Sequence, residues 1–196
     1  VYFFADSYFQ TKNYYLASYQ FESFIKSFPK SQKLEEATFF AAKSHYMMSP
    51  TFSLDQEETN TAIEKLQIFM NNYPKSKFTD ECNQLISELQ NKIEKKEFEI
   101  AKQYYNIYDY RAAIKSLDNF VGEFVGSKFR EEALYYKFLS SYEIAINSVE
   151  SKKLQRLSDL KQLHNNIVRY YPETLFEEDL TKKMEVIEKE INTFTN

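Results

Sequence analysis

The stretches "FIKSFPKS" at residues 24–31 and "FMNNYPKS" at residues 69–76 decide the fold, because the chain repeats the phrase they share. Two further segments carry it in altered form, "FVGEFVGS" at 120–127 and "IVRYYPET" at 167–174. The common pattern is an apolar residue, three others, an aromatic, Pro or Val, any residue, then Ser or Thr. Proline cannot continue a helix and pushes the preceding residue out of helical geometry, so Pro29, Pro74 and Pro172 end helices. The Ser or Thr that follows is expected to cap the next helix by accepting a bond from a free backbone N–H. Acidic pairs come next at Glu35–Glu36, Asp80–Glu81, Glu131–Glu132 and Glu178–Asp179, where negative charge suits the positive end of a helix dipole. The phrase therefore reads as stop, turn and start between helices.

Composition points the same way. The 196 residues include only two glycines, Gly122 and Gly126, so glycine-rich phosphate loops and tight Gly-containing hairpins are excluded. Abundant Lys, Glu, Leu, Ala and Tyr predict an all-helical chain, and 18 Phe and 16 Tyr supply its core. The net charge of −4 is spread without a basic stripe, which argues against a nucleic-acid partner. No apolar run is long enough to span a membrane. The sequence opens on "VYFFADSYF", already in helical register, so any targeting segment is expected upstream of Val1.

A shift of 96 residues aligns 1–46 with 97–142 without a gap. Ala5 meets Ala101, Tyr14 meets Tyr110, Ala17 meets Ala113, and "EEATFF" (35–40) meets "EEALYY" (131–136). Within each copy a shorter break, "TKNY" (11–14) or "IYDY" (107–110), offers Asn13 or Asp109 as a cap. Helices are predicted near 1–10, 13–28, 33–48, 55–72, 78–106, 109–124, 129–147, 154–171 and 176–194. The segment 78–106 holds no breaker and reads as one long helix, with longer loops at 48–56 and 148–153.

The helix-pair spacing resembles the tetratricopeptide repeat. Its first-helix signature matches Val1, Phe4–Ala5 and Tyr8, and again Ile100–Ala101 and Tyr104. Its second-helix signature matches Ala17, Phe21, Phe24 and Pro29, and again Ala113, Leu117 and Phe120, with Val125 in place of Pro. The resemblance implies an all-α, right-handed superhelix of about five helix pairs, with repeats near 1–30, 32–75, 77–126 and 128–173 and a terminal helix at 175–196. More narrowly, the phrase, the lengthened repeats and the long helix entering "EFEIAKQYYNIYDYRAAI" (97–114) resemble the BamD family of outer-membrane lipoproteins over essentially the whole chain. That resemblance implies a non-catalytic, cofactor-free scaffold at the periplasmic face of the outer membrane, held by a lipid anchor upstream of Val1. The implied partners are the barrel insertase BamA, other subunits of that assembly machinery, and unfolded barrel substrates. The alternative is an adaptor or co-chaperone in another envelope or cytosolic complex.

Candidate residues follow from the repeat register. Cys82 falls where Ala37 and Ala133 sit and reads as a small core residue. Neither His45 nor His164 has partners at metal-ligand spacing, and no metal motif occurs. His164 takes the slot of Phe21, Leu66 and Leu117 and is expected to pack. In repeat geometry the first helices line the concave surface, which makes Tyr2, Asp6, Phe9 and Gln10 candidates for an extended peptide, continued by Thr38, Ala42, His45 and Tyr46 and by Phe98, Lys102, Tyr105 and Asn106. A clamp for acidic tails would place Lys and Asn where Tyr2 and Asp6 stand, so capture of such a tail is disfavoured. Arg156, Arg169 and Tyr170 are candidates for partner docking in the C-terminal repeats.

Overall fold

A computed structural model describes residues 1–194. Its described residues form nine helices: α1 (Tyr2–Gln10), α2 (Tyr14–Ser27), α3 (Leu34–Met48), α4 (Glu57–Asn72), α5 (Thr79–Asn106), α6 (Tyr110–Glu123), α7 (Arg130–Ile146), α8 (Glu150–Tyr170) and α9 (Glu177–Thr193). The all-α repeat architecture expected from the sequence is present. One boundary differs by more than two residues: α8 starts at Glu150, before the predicted 154. The stretch 148–153 is polar because it is mostly the first turn of a surface helix, nucleated where Lys152 and Lys153 donate their N–H groups to the Val149 carbonyl. The 48–56 loop is present and pinned. Gln56 is buried and donates to the carbonyls of Thr51 and Leu54, while Lys92 and Lys96 of α5 reach the Ser49 hydroxyl and the Leu54 carbonyl.

The chain divides into two compact units, Val1–Lys96 and a second that begins at Glu97. Each contains two helix pairs and a closing helical segment: α1 to α4 with residues 79–96 in the first, and residues 97–106 with α6 to α9 in the second. Inside the first pair of each unit, the connection is the same in both copies. The N–H of Lys12 bonds to the Phe9 carbonyl and that of Asn13 to the Tyr8 carbonyl; Tyr108 and Asp109 repeat this with Tyr105 and Tyr104. This double bond pattern closes a helix around a left-handed residue, usually glycine. In this glycine-poor chain Lys12 (φ 61°) and Tyr108 (φ 63°) take that conformation. Asn13 and Asp109 then cap the second helix, accepting from the N–H groups of Leu16 and Ala112 as the sequence predicts.

Between pairs, the repeated phrase acts differently from the simple cap expected. The hydroxyls of Ser31, Ser76, Ser127 and Thr174 accept from the N–H two residues on, at Lys33, Phe78, Phe129 and Phe176. They hold the turn that precedes each helix. In three of these turns the residue two past the hydroxyl is aromatic, and its ring enters the core. Phe39 stacks on Phe78 at 4.1 Å and 6°, and Tyr135 stacks on Phe176 at 3.9 Å and 6°. Lys33 takes the corresponding place in the first turn, its ammonium over the Tyr2 ring at 5.2 Å. The hydroxyls also tie neighbouring repeats. Ser76 donates to Glu35 at 2.6 Å and Thr174 to Glu131 at 2.7 Å, so the first member of the acidic pair is a receptor for the next turn as well as a dipole partner.

Small residues let the helices approach: Ala5, Ala17, Ala37, Ala62, Ala113, Ala133 and Cys82 are all fully buried. Phe21, Leu66, Phe69, Leu117 and Leu157 fill the space beside them. Four aromatics at repeat-matched positions, which the repeat register would place in the core, behave otherwise. Phe28 and Tyr104 are exposed, while their counterparts in the other copy, Phe124 and Tyr8, are half-buried. Conversely Phe98 and Ala42, expected on an open wall, are buried within the helix layers. His164 occupies its predicted slot half-buried, 6.1 Å from the Phe138 ring.

Replacing Phe176 by Ala removes the stacked partner of Tyr135 and is expected to cost about 3 kcal/mol, read as a lowered midpoint in chemical denaturation with helical ellipticity kept before the transition. Cys82 is fully buried, and burial with the Glu81 charge pushes its thiol up to about 11. A disulfide reagent at pH 8 should therefore modify it only after denaturant is added; fast reaction with the folded chain would contradict this packing.

Candidate interaction surfaces

In the first unit α3 has two working sides. Toward α5, Lys43 pairs with Glu81 at 2.6 Å and the Tyr46 hydroxyl donates to Glu88 at 2.5 Å. The hydrogen bond to Glu88, reinforced by burial, pushes the Tyr46 phenol up to about 12, while the same bond and one from Gln84 hold the Glu88 carboxyl low. Toward α2 and α4 lies a groove of ≈ 440 Å³. Leu34, Thr38, Ala41 and Ala42 form its floor, with Ile25 on one wall and Ile68 on the other. Glu22 and Lys65 bridge across it as an ion pair. One turn beyond Ala42, His45 lies between Glu22 at 3.5 Å and Glu58 at 3.6 Å.

The predicted peptide wall is thus distributed in the first unit. Tyr2, Asp6, Phe9 and Gln10 share α1. Tyr2 sets its ring edgewise to Phe21 and Phe24, and Phe9 does so to Phe40 and Tyr14, so both rings are half-buried. Asp6 accepts from Gln10 at 3.3 Å on the exposed side. Tyr46 faces α5, whereas His45 faces α2 and α4 and does not join them.

The second unit repeats the groove between α6 and α8, lined by Ile114, Lys137, Ser141, Ile144, Leu160 and Leu163 among others. Its volume is smaller, ≈ 280 Å³. Lys137 stands where the first copy has Ala41, and it lines the groove and pairs with Asp118 of α6 at 2.5 Å. Arg156 lines this groove and donates to the Ser148 hydroxyl at 2.5 Å. Arg169 and Tyr170 lie at the other end of α8, about 20 Å along the helix. Tyr170 is 70 % exposed, and in the turn that follows, Leu175 is 89 % exposed. Leu175 escapes a reading that looks for matches among the four turns; its signal is a mismatch. The other turns carry Gln32, Lys77 and Lys128 at its position, and Ser27, Asn72 and Glu123 at that of Tyr170.

Among the described residues no cluster of His, Cys, Asp or Glu could hold a metal ion, and no helix is long and apolar enough to cross a membrane. Stacked helix pairs, open grooves and exposed apolar side chains at turns define a helical-repeat protein of the tetratricopeptide class, whose surfaces serve contacts with other proteins. A family model described as "YfiO: Outer membrane lipoprotein" matches residues 2–153 and again 94–193, so the chain belongs to that family, at the periplasmic face of the outer membrane. The second match starts close to Glu97, where the second unit begins. The chain is also similar to the "Outer membrane protein assembly factor BamD" of Helicobacter pylori (strain ATCC 700392 / 26695), 36 % identical over 67 residues. That stretch is 34 % of this chain and spans only 30 % of the relative's length.

The electrostatics of the first groove give a pH dependence. Burial works to raise the Glu22 carboxyl, but bonds and charge from Lys65 and His45 outweigh it and hold the group below its ordinary value. A carboxylate lowered in the folded state adds stability above its unfolded value, and that contribution is lost as pH falls through the folded one. Denaturation midpoints should therefore drop on acidification below about pH 4.5, with a shallower drop for Glu22→Gln. Equal slopes would show that the Lys65 and His45 contacts do not persist in solution.

Proposed function

We propose that this chain is a non-catalytic scaffold for assembling β-barrel proteins into the outer membrane, with its C-terminal unit docking a BamA-type insertase. Family membership and the name of the H. pylori relative support the process. The observation that carries the docking surface is the exposure of Tyr170 and Leu175 beside Arg169, at a turn whose three sister copies are polar at both apolar positions. The fold does without apolar side chains there, so their desolvation is left to a partner. Arg156, held by Ser148 in the neighbouring groove, extends the same unit's polar contacts.

The first unit is the place for an unfolded barrel segment. On α1, Asp6 and Gln10 offer polar contacts between the half-buried rings of Tyr2 and Phe9. The groove over Ala41 and Ala42 accepts aliphatic side chains, with His45 at its end and Tyr46 on the far side of α3.

In the full chain, Tyr170→Asn together with Leu175→Lys installs residues that a sister turn already tolerates. This variant should lower co-purification with the insertase's periplasmic region about ten-fold, with circular dichroism unchanged. Undiminished capture would move the docking surface elsewhere. Asp6→Ala with Gln10→Ala should weaken binding of a barrel-derived peptide several-fold in a titration while sparing insertase capture.

A further inference from the structure

The two copies of the connection within a helix pair share their backbone but not their surface. "TKNY" (11–14) and "IYDY" (107–110) make the same hydrogen bonds and place Lys12 and Tyr108 in the same left-handed conformation. The first copy shows that Thr and Lys satisfy this turn. The second instead exposes Ile107 at 58 % and Tyr108 at 77 %, beside the partly exposed Tyr104 of α5. One edge contact, from the Tyr108 ring to Tyr110 at 6.3 Å, leaves both side chains mostly in solvent.

The flank differs in the opposite sense. Where α2 exposes Tyr15 and Tyr19, α6 exposes Arg111 and Lys115, one turn apart and directly after the apolar tip. No ion pair is formed by either cation among the described residues. Of the nearby carboxylates, Asp109 accepts from the Ala112 N–H at 3.1 Å, Asp118 pairs with Lys137 at 2.5 Å, and Glu143 acts on the phenols of Tyr105 and Tyr110. Gln103 and Asn106, on the last turns of α5, carry no charge. The result is a knuckle of Tyr104, Ile107 and Tyr108 beside two exposed cations, Arg111 and Lys115, that form no ion pair among the described residues.

We propose that this knuckle seats on the anionic phospholipid surface of the membrane to which the family localises. Tyrosine and isoleucine suit the headgroup boundary, where a ring can keep its hydroxyl wet while its body leaves water. Arg111 and Lys115 meet lipid phosphates, which supply the charge that the protein withholds from them. Such a contact is weak alone, and it acts on a protein already held at the membrane by fixing which side faces the bilayer.

The test uses the full chain and vesicles of phosphatidylglycerol with phosphatidylethanolamine, against phosphatidylcholine vesicles. The sequence has no Trp, so Tyr108→Trp gives a single reporter. Its emission should shift to the blue and be quenched by brominated lipid in the anionic vesicles, whereas a Tyr15→Trp reporter should not respond. Ile107→Thr with Tyr108→Lys, the first copy's own residues, should reduce the floated fraction about ten-fold with unchanged circular dichroism. Arg111→Gln with Lys115→Gln should remove the preference for anionic vesicles and its salt dependence. The proposal is overturned if the parent chain does not float or if the Thr–Lys variant floats equally. Loss of insertase capture by that variant with vesicle binding intact would make the knuckle a protein-docking surface instead. The Tyr170 and Leu175 variant reads insertase docking separately, so the two ideas fail independently.

Discussion

The structure depends on how one helix pair is fastened to the next. A repeat array has no long-range ladder of backbone bonds, so each junction must be specified by side chains alone. Here the fastening has two parts acting at one turn. A hydroxyl holds the backbone bend and donates to a glutamate about 42 residues earlier in chain order, as Ser76 does to Glu35 and Thr174 to Glu131. Two residues on, an aromatic ring lies flat against a ring from the preceding repeat. The polar bond fixes direction and the stacked pair fixes depth. Neither group is free to slide without giving up a charge-assisted hydrogen bond or exposing a ring face.

That division of labour explains which positions vary. Proline at the turn only stops the preceding helix, and Val125 can replace it because the turn at 124–129 keeps its hydroxyl and its ring. The groove floors vary too. Ala41 leaves an open channel in the first unit, and Lys137 at the matching position closes part of the second. The same backbone thus presents two different surfaces, an apolar trough bridged by the Glu22–Lys65 pair and a smaller one lined by a lysine.

Most of the fold was legible because helix length and turn chemistry are local properties. The phrase, the internal copy and the small residues Ala5, Ala17 and Cys82 all mark contacts set by spacing along one helix. The surfaces were less legible because exposure depends on which neighbour covers a side chain. Tyr2 and Phe9 lie on the correct face of α1, yet their rings lean onto α2 and α3. His45 and Tyr46 are adjacent in sequence but about 100° apart around α3, and they meet different helices. Phe98 was misplaced for the same reason, since a ring stacked on Phe129 cannot also line an open wall. Alignment of the turns by their similarities also conceals their differences, and Leu175 stands out only when the polar sister positions are set beside it.

Helix α5 gives Leu85 and Leu89 to one core and Phe98 and Ala101 to another. It is the closing segment of the first unit and the opening helix of the second, with no linker residues between. Nucleating this helix once therefore serves both cores, and a folded first unit hands its neighbour a template turn from which to elongate. The same economy removes any natural point of excision. The division at Lys96 falls inside α5, so a truncation there would cut a continuous run of helical backbone bonds.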